Sequence, residues 1–160
     1  MTKVSYCKSW FRAKKVATEP ISNAEARLLH SKGEAYCALL GKPTAPTHFL
    51  EITPKSVGVG FLDGRLRERL SYSFQELEPG RLFLSMAVWR DFESTTDKVV
   101  AGTSYIFERS GSLRIRRESF IPAHILEVSD TTTDVAANWD LVPDFGDYSS
   151  LVAVERRHEH

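Results

Sequence analysis

Two pairs of closely spaced carboxylates are the side chains best suited to acid–base chemistry. Glu76 and Glu78 precede Pro79-Gly80, and Asp91 with Glu93 closes the next apolar run. Two carboxylates can act as general acid and general base only where burial or a neighbouring charge separates their pKa values. All four stand at the ends of predicted strands, where charged groups are usually solvated. The sequence therefore favours a protein without enzymatic activity. Catalysis by these acids ranks behind the two binding functions considered below.

Histidine and cysteine do not occur at spacings that indicate a metal site or a nucleophile. His30, His48 and His124 stand apart from one another, and His158-Glu159-His160 is a pair at the chain end. Zinc sites combine ligands at closer, recurrent spacings. The sequence also contains no G-x-S-x-G elbow, Gly-rich phosphate loop or CxxC motif. We therefore expect no catalytic residue, no metal and no cofactor.

Length and composition are typical of one soluble domain, which we expect to span residues 1–160. The chain is 42% apolar and 26% charged, with a net charge of zero. It has no apolar run of about 18 residues that could cross a bilayer. The residues after Met1 are polar and basic, unlike an apolar signal sequence. These features predict a cytoplasmic protein without membrane contact, in which Cys7 and Cys37 are free, buried thiols.

Charge is unevenly distributed along the chain. Residues 1–64 hold nine Lys or Arg against five acids, whereas residues 118–155 hold no Lys or Arg. Such an acidic segment suits a basic protein partner better than nucleic acid. A solvated acidic loop without a partner is the alternative that composition leaves open. The acids of the segment are Glu118, Glu127, Asp130, Asp134, Asp140, Asp144, Asp147 and Glu155.

Four apolar/polar alternating segments between Arg65 and Phe120 predict an antiparallel β-meander. Within it, Leu82–Trp89 is apolar on both parities, which is typical of the most central strand. Upstream, Val57–Phe61 leads to Asp63-Gly64, a strong hairpin signal, so the sheet begins before the meander. The two glycines that alternate with the apolar residues of Val57–Phe61 indicate close packing.

One helix is predicted near the N-terminus. Ser22–Glu25 is a capping box, in which the serine hydroxyl and the glutamate carboxylate each bind a free backbone N–H group. Gly41 is expected to end the helix because the prolines beyond it prevent continuation. Leu29, Tyr36 and Leu40 would then share the face that packs on the sheet.

Further strands are predicted at both ends of the chain. An opening strand runs through Val4–Trp10, with Cys7 pointing outward or sideways. Ile125–Val128 indicates another strand, Ser129–Asp134 a polar turn, and Tyr148–Val154 the final strand. The fold class is therefore mainly β (α+β). It consists of an antiparallel meander, forming a strongly bent sheet or a small barrel of about eight strands, with one N-terminal helix packed on it.

The interior of a small barrel could bind a small apolar ligand, as in a calycin-like carrier. The sequence favours the other possibility, in which the inward side chains fill the interior together with the helix. The inward side chains are Tyr72, Phe74, Leu82, Leu84, Met86 and Tyr105.

Three pieces of the sequence carry a family resemblance. They are LSYSFQELEPGRLFLSMAVWRDFE at residues 70–93, VAGTSYIFERSGSLRIRRESF at residues 100–120 and NWDLVPDFGDYSSL at residues 138–151. The likeness extends over roughly the last 90 residues. In layout and in fragments such as YSFQELEPG and PDFGDYSSL, they resemble immunity proteins associated with Rhs-type polymorphic toxins.

The resemblance implies a cytoplasmic inhibitor that binds a cognate toxin domain one-to-one and is monomeric when free. Toxins that act on nucleotides or nucleic acid commonly present basic clefts, which an acidic surface complements. The implied partner is a protein, with neither nucleic acid nor membrane. Trp139 is interpreted either as an anchor or as the residue that pins its loop. The expected partner-binding residues are Trp139, Asp140, Asp144, Phe145, Asp147 and Tyr148.

Overall fold

A computed structural model describes residues 3–154 of the protein. This part of the chain forms eleven β-strands, one α-helix and one short 3-10 helix, η1. The C-terminal His158-Glu159-His160 and Glu155 lie outside the described residues. In chain order the elements are β1 Val4–Phe11, β2 Val16–Ile21, α1 Asn23–Lys32, β3 Tyr36–Lys42, β4 Ala45–Ile52, β5 Ser56–Leu62, β6 Glu68–Glu78, β7 Arg81–Phe92, β8 Val99–Phe107, β9 Ser112–Ser119, β10 Ile125–Thr132, η1 Ala136–Asn138 and β11 Trp139–Leu141.

The strands form a single antiparallel sheet in the order β10-β9-β8-β7-β6-β5-β4-β3-β1-β2, with β11 added alongside β7. The predicted mainly β meander with one helix is confirmed. Of the two predicted forms, the structure has the bent open sheet, because the strand order ends at β10 and β2 without closing. None of the helices within residues 3–154 is both long enough and apolar enough to cross a membrane.

The centre of the sheet follows the predicted alternation. Leu70, Tyr72 and Phe74 of β6 are buried on one face, which we call the covered face. Ser71 and Ser73 lie on the opposite face, which we call the open face, and are only half-buried. In β7 the consecutive residues 82–84 are all buried, as predicted for a central strand.

The helix begins where the sequence predicts and is capped eight residues earlier than expected, by Gly33 in place of Gly41. The Ser22 hydroxyl accepts from the Glu25 N–H at 3.1 Å, and the Glu25 carboxylate accepts from the Ser22 N–H at 3.4 Å. The helix ends at Lys32, since Gly33 adopts the left-handed conformation at φ 67° and caps it. The predicted end at Gly41 is wrong because residues 36–40 form a strand buried on both faces.

Val16–Ile21 forms an edge strand, β2, that the sequence pattern does not predict. Two further expectations about the chain are wrong. Residues 129–132 continue β10 rather than forming a turn, because β9 offers a paired strand over their whole length. Tyr148–Val154 consists of turns and bends; Tyr148 and Leu151 are buried by lying across the sheet, not by pairing with it.

Two apolar clusters lie on opposite faces of the sheet. The larger cluster fills the covered face, where Ala26 of α1 and residues 142–152 of the last segment pack on the strands. The smaller cluster lies on the open face at the β1–β3–β4 end and includes Cys7 and Cys37. These two cysteines are paired opposite each other across β1 and β3, and both thiols are free and buried. Cys7 thus points into a cluster and not outward or sideways.

Gly60 of β5 lies directly against the ring of Phe49 in the neighbouring strand β4. A Cβ atom at this position would fall within the ring of Phe49, its partner across β4 and β5. We expect Gly60→Ala to lower the free energy of unfolding by about 1–3 kcal/mol, since the ring must leave its packed position. Urea denaturation of the purified protein measures this change.

Gly58, two residues earlier in the same strand, is the matched control. A Cβ there would meet only Glu51 Cβ, at 3.9 Å. Gly58→Ala should therefore be neutral, or stabilising by up to about 1 kcal/mol through the unfolded chain. Equal destabilisation by the two variants would contradict this account of the Phe49 contact.

Candidate protein-binding surfaces

Among the expected partner-binding residues, Phe145 attaches the last segment of the chain to the sheet. Its ring stacks on Tyr6 of β1 with centroids 5.0 Å apart, and it contacts His30 and Tyr36 at 5.7 and 6.1 Å. The Arg27 guanidinium of α1 lies over the same ring at 4.6 Å. Phe145 is therefore half-buried and largely occupied by contacts within the chain.

Tyr148 lies at the centre of a buried hydroxyl network. Its hydroxyl is 3.3 Å from that of Tyr6 and 3.2 Å from that of Tyr36, which in turn contacts His30 Nδ1 at 2.8 Å. Burial, with hydrogen bonds between the hydroxyls, raises the pKa of Tyr6 and of Tyr148 far above the usual tyrosine range. Tyr148 is thus a core residue, inaccessible to a partner in this conformation.

Trp139 and Asp140 also make contacts within the chain that hold their own segment in place. Trp139 packs against Phe83 with ring centroids 5.0 Å apart, and the Arg81 guanidinium lies over its indole at 4.5 Å. Asp140 Oδ1 accepts from the Leu141 N–H at 2.8 Å and from the Ser150 hydroxyl at 3.0 Å. Trp139 was expected either to anchor a partner or to hold its own loop in place, and this packing corresponds to the second role.

Asp144 and Asp147 are the two members of the predicted site that are exposed. The side chain of Asp147 accepts from the Ser149 hydroxyl at 3.1 Å, and its N–H donates to the Asp144 carbonyl. We call residues 142–147, which carry these two exposed carboxylates, the acidic loop. Contact between the acidic loop and a partner stays a prediction.

Two of the other acids of residues 118–155 lie beside basic groups, so these acids do not form one acidic surface. Asp130 forms a two-pronged ion pair with Arg114, with N–O distances of 2.8 and 3.2 Å. Glu118 contacts His124. The sequence segregates these charges along the chain, whereas the antiparallel register brings opposite charges together.

A second candidate surface consists of β8, β9 and β10, which we call the wing. The elements that cover the sheet pack elsewhere: α1 lies on β1 and β3, and η1 and β11 lie against β7. Burial accordingly decreases along the wing. Every residue of β8 is half-buried, and every residue of β10 is exposed.

The wing carries large apolar side chains in contact with water. Ile125, Leu126 and Val128 are 55%, 44% and 51% exposed, and Phe120 and Ile121 in the preceding turn are 44% and 41% exposed. Clustered exposure of this kind is typical of protein–protein contact sites. The sequence carries a signal for it, since the β10 segment has apolar residues on both parities and so lacks a purely wet face.

The open face leads from the centre of the sheet to the wing. A groove of about 660 Å³ crosses β5, β6 and β7 over Gly58, Ser71 and Ser73. A smaller groove of about 280 Å³ shares Val88 and Arg90 with it and continues to the wing. The charged groups of the larger groove pair with one another: Arg12 pairs with Glu51 and Glu68, and Arg90 pairs with Glu68.

Comparison with known proteins identifies no relative. No protein-family model, curated protein or solved structure is similar enough to match this chain. Within residues 3–154 no three His, Cys, Asp or Glu side chains are grouped in a way that could hold a metal ion.

The hydroxyl of Tyr148 is expected to stabilise the attachment of the last segment. Tyr148→Phe removes the partner of the buried Tyr6 hydroxyl, so the free energy of unfolding should fall by about 1–3 kcal/mol. Tyr105→Phe is the control, because no hydroxyl hydrogen bond of this half-buried residue is found in the described part of the chain. It should change stability by less than about 0.5 kcal/mol. Equal effects in urea denaturation would contradict a role for the network.

The same network predicts a loss of stability at alkaline pH. Unfolded tyrosines ionise near pH 10, whereas Tyr6 and Tyr148 stay protonated in the folded protein because their pKa values are raised. The stabilisation is complete below about pH 10 and is lost as the pH rises above it, since unfolding then releases protons. Urea denaturation between pH 8 and about pH 11 should show this fall, and Tyr148→Phe should make it shallower.

Proposed function

We propose that this protein is an immunity protein, which binds a cognate toxin domain one-to-one in the cytoplasm and neutralises it. The observation that carries the proposal is the wing, in which apolar side chains of Ile125, Leu126 and Val128 stand in water on an uncovered part of the sheet. A surface that a protein partner covers accounts for this exposure. The likeness of three sequence segments to immunity proteins of Rhs-type toxins supports the same function.

The interior of the fold supports a protein partner over an apolar small-molecule ligand. Tyr72, Phe74, Leu82 and Leu84 pack into the main core with side chains from α1 and the last segment. These residues would have lined the chamber of a calycin-like carrier. The sheet also ends on two open edges, so its covered face is a packed layer and not the wall of a chamber.

The acidic loop supports attraction of a basic partner. Asp144 and Asp147 are exposed on a short segment, and residues 118–155 contribute no Lys or Arg. Exposed charges of one sign raise the association rate with an oppositely charged partner, even where they make few direct contacts. We propose that the acidic loop steers a basic toxin domain toward this protein.

Affinity capture from the source cells tests the proposed function. With the tagged protein as bait at moderate salt, we expect one stoichiometric partner that includes the C-terminal domain of a larger protein. Expression of that domain alone should arrest growth, and co-expression of this protein should restore it. A captured domain whose toxicity this protein does not relieve would refute neutralisation.

Charge reversal tests the acidic loop separately. The double change Asp144→Lys with Asp147→Lys should slow association with the captured domain by about tenfold and leave the unfolding midpoint unchanged. The matched control is Asp91→Lys with Glu93→Lys, which makes the same change of charge at two exposed positions at the end of β7. Surface plasmon resonance measures both rates. Equal slowing by both variants would assign the effect to net charge, and no slowing would remove the acidic loop from the interface.

A further inference from the structure

The two edges of the sheet differ in how they are protected against pairing with another strand. β2 spans only Val16–Ile21, and Pro20 within it has no N–H group to donate. Glu19 beside it adopts a positive φ of 46°, which interrupts the extended backbone. These features are typical of an edge that does not accept a further strand.

The β10 edge has none of these devices. All eight of its residues pair with β9 in one unbroken register, from Ile125 opposite Ser119 to Thr132 opposite Ser112. The strand contains no proline, glycine or lysine, and every residue is exposed. Among residues 3–154 only β9 pairs with it, so the opposite row of backbone N–H and C=O groups faces outward. A regular edge of this kind is a template for another strand.

We infer that β10 binds an extended segment of the partner protein as an additional antiparallel strand of the sheet. This inference builds on the proposed function, since it names the edge at which the toxin domain would add its strand. Main-chain hydrogen bonds would supply much of the affinity, and the side chains along β10 would select the sequence.

The side chains of β10 specify the chemistry of the added strand. Leu126 and Val128 project on the open face, and Glu127 projects on the covered face. Although Arg117 is the register partner of Glu127, the structure has no ion pair between them. Asp130, by contrast, is already paired with Arg114. The added strand should therefore place a basic residue opposite Glu127 and apolar residues opposite Leu126 and Val128.

A second copy of this chain does not provide that complement. Residues opposite each other in an antiparallel sheet share a face, so a symmetric pairing of two β10 strands has few registers. In those with the longest overlap, Asp130 faces Leu126 or Val128. The next register in one direction places Glu127 opposite Glu127, and the next in the other direction places Asp130 opposite Asp130. Like charges directly opposite each other are destabilising. β10 contains no Lys or Arg to avoid this.

Synthetic peptides test the inference without the toxin. The acetylated and amidated octapeptide TTTTVKIV places its lysine opposite Glu127 when aligned antiparallel to β10, and TTTTVEIV is its charge-reversed control. Amide hydrogen exchange of the whole protein, followed residue by residue with NMR, should show slower exchange within residues 125–132 on addition of the lysine peptide. The lysine peptide should bind about three- to fivefold more tightly than the control.

The variant Glu127→Lys supplies the reciprocal test. A lysine at this exposed position would face Arg117 of β9, and one exposed like-charge pair costs little stability, so the variant should still fold, and its preference should reverse to the glutamate peptide. Equal binding of both peptides, or the absence of protection in β10 at millimolar peptide, would overturn the inference. Concentration-dependent dimerisation of the protein alone, with protection of the same amides, would replace the partner strand with a second copy.

The outcomes separate this inference from the proposed function. If the captured toxin domain binds and is neutralised while β10 amides exchange as in the free protein, the function stands and the edge inference fails. If the lysine peptide adds to β10 but no toxin domain is neutralised, the edge inference stands and the proposed function fails.

Discussion

An open β-sheet is stable only if another part of the chain buries one of its faces. Here the cover consists of α1 and the last described segment, which crosses back over the sheet. Its attachment depends on Phe145 and Tyr148, whose rings and hydroxyl meet Tyr6 and Tyr36 from the first part of the chain. This contact joins the two ends of the described chain, and the main core lies between the sheet and that cover.

The antiparallel register determines how charge is distributed over the surface. Residues 118–155 form the most acidic segment of the sequence, yet pairing of β10 with β9 places Arg114 beside Asp130. Exposed ion pairs of this type contribute little to stability, but they reduce the local negative charge. The acidity that remains exposed near the cover is concentrated at Asp144 and Asp147.

The wing extends beyond the elements that cover the sheet, and this limits what the free protein can bury. Strands β8 to β10 hydrogen-bond to one another and to the sheet, but burial of their side chains decreases from the half-buried β8 to the exposed β10. The grooves of the open face reach the wing through Val88 and Arg90. A partner docked on the wing would bury its apolar side chains, as α1 and the last segment do for the covered face.

Local patterns in the sequence determined the strands of the meander and the start of the helix, because alternation and the capping box depend on near neighbours. They did not determine the end of the helix: Gly33 and Gly41 are both plausible stops, and the apolar run Tyr36–Leu40 fits a helix face or a buried strand. Only the tertiary structure decided between these, because burial on both faces of β3 requires neighbours on both sides. It also decided that Phe145 and Tyr148 pack inward while β10 stays uncovered, since those outcomes depend on strands distant in sequence.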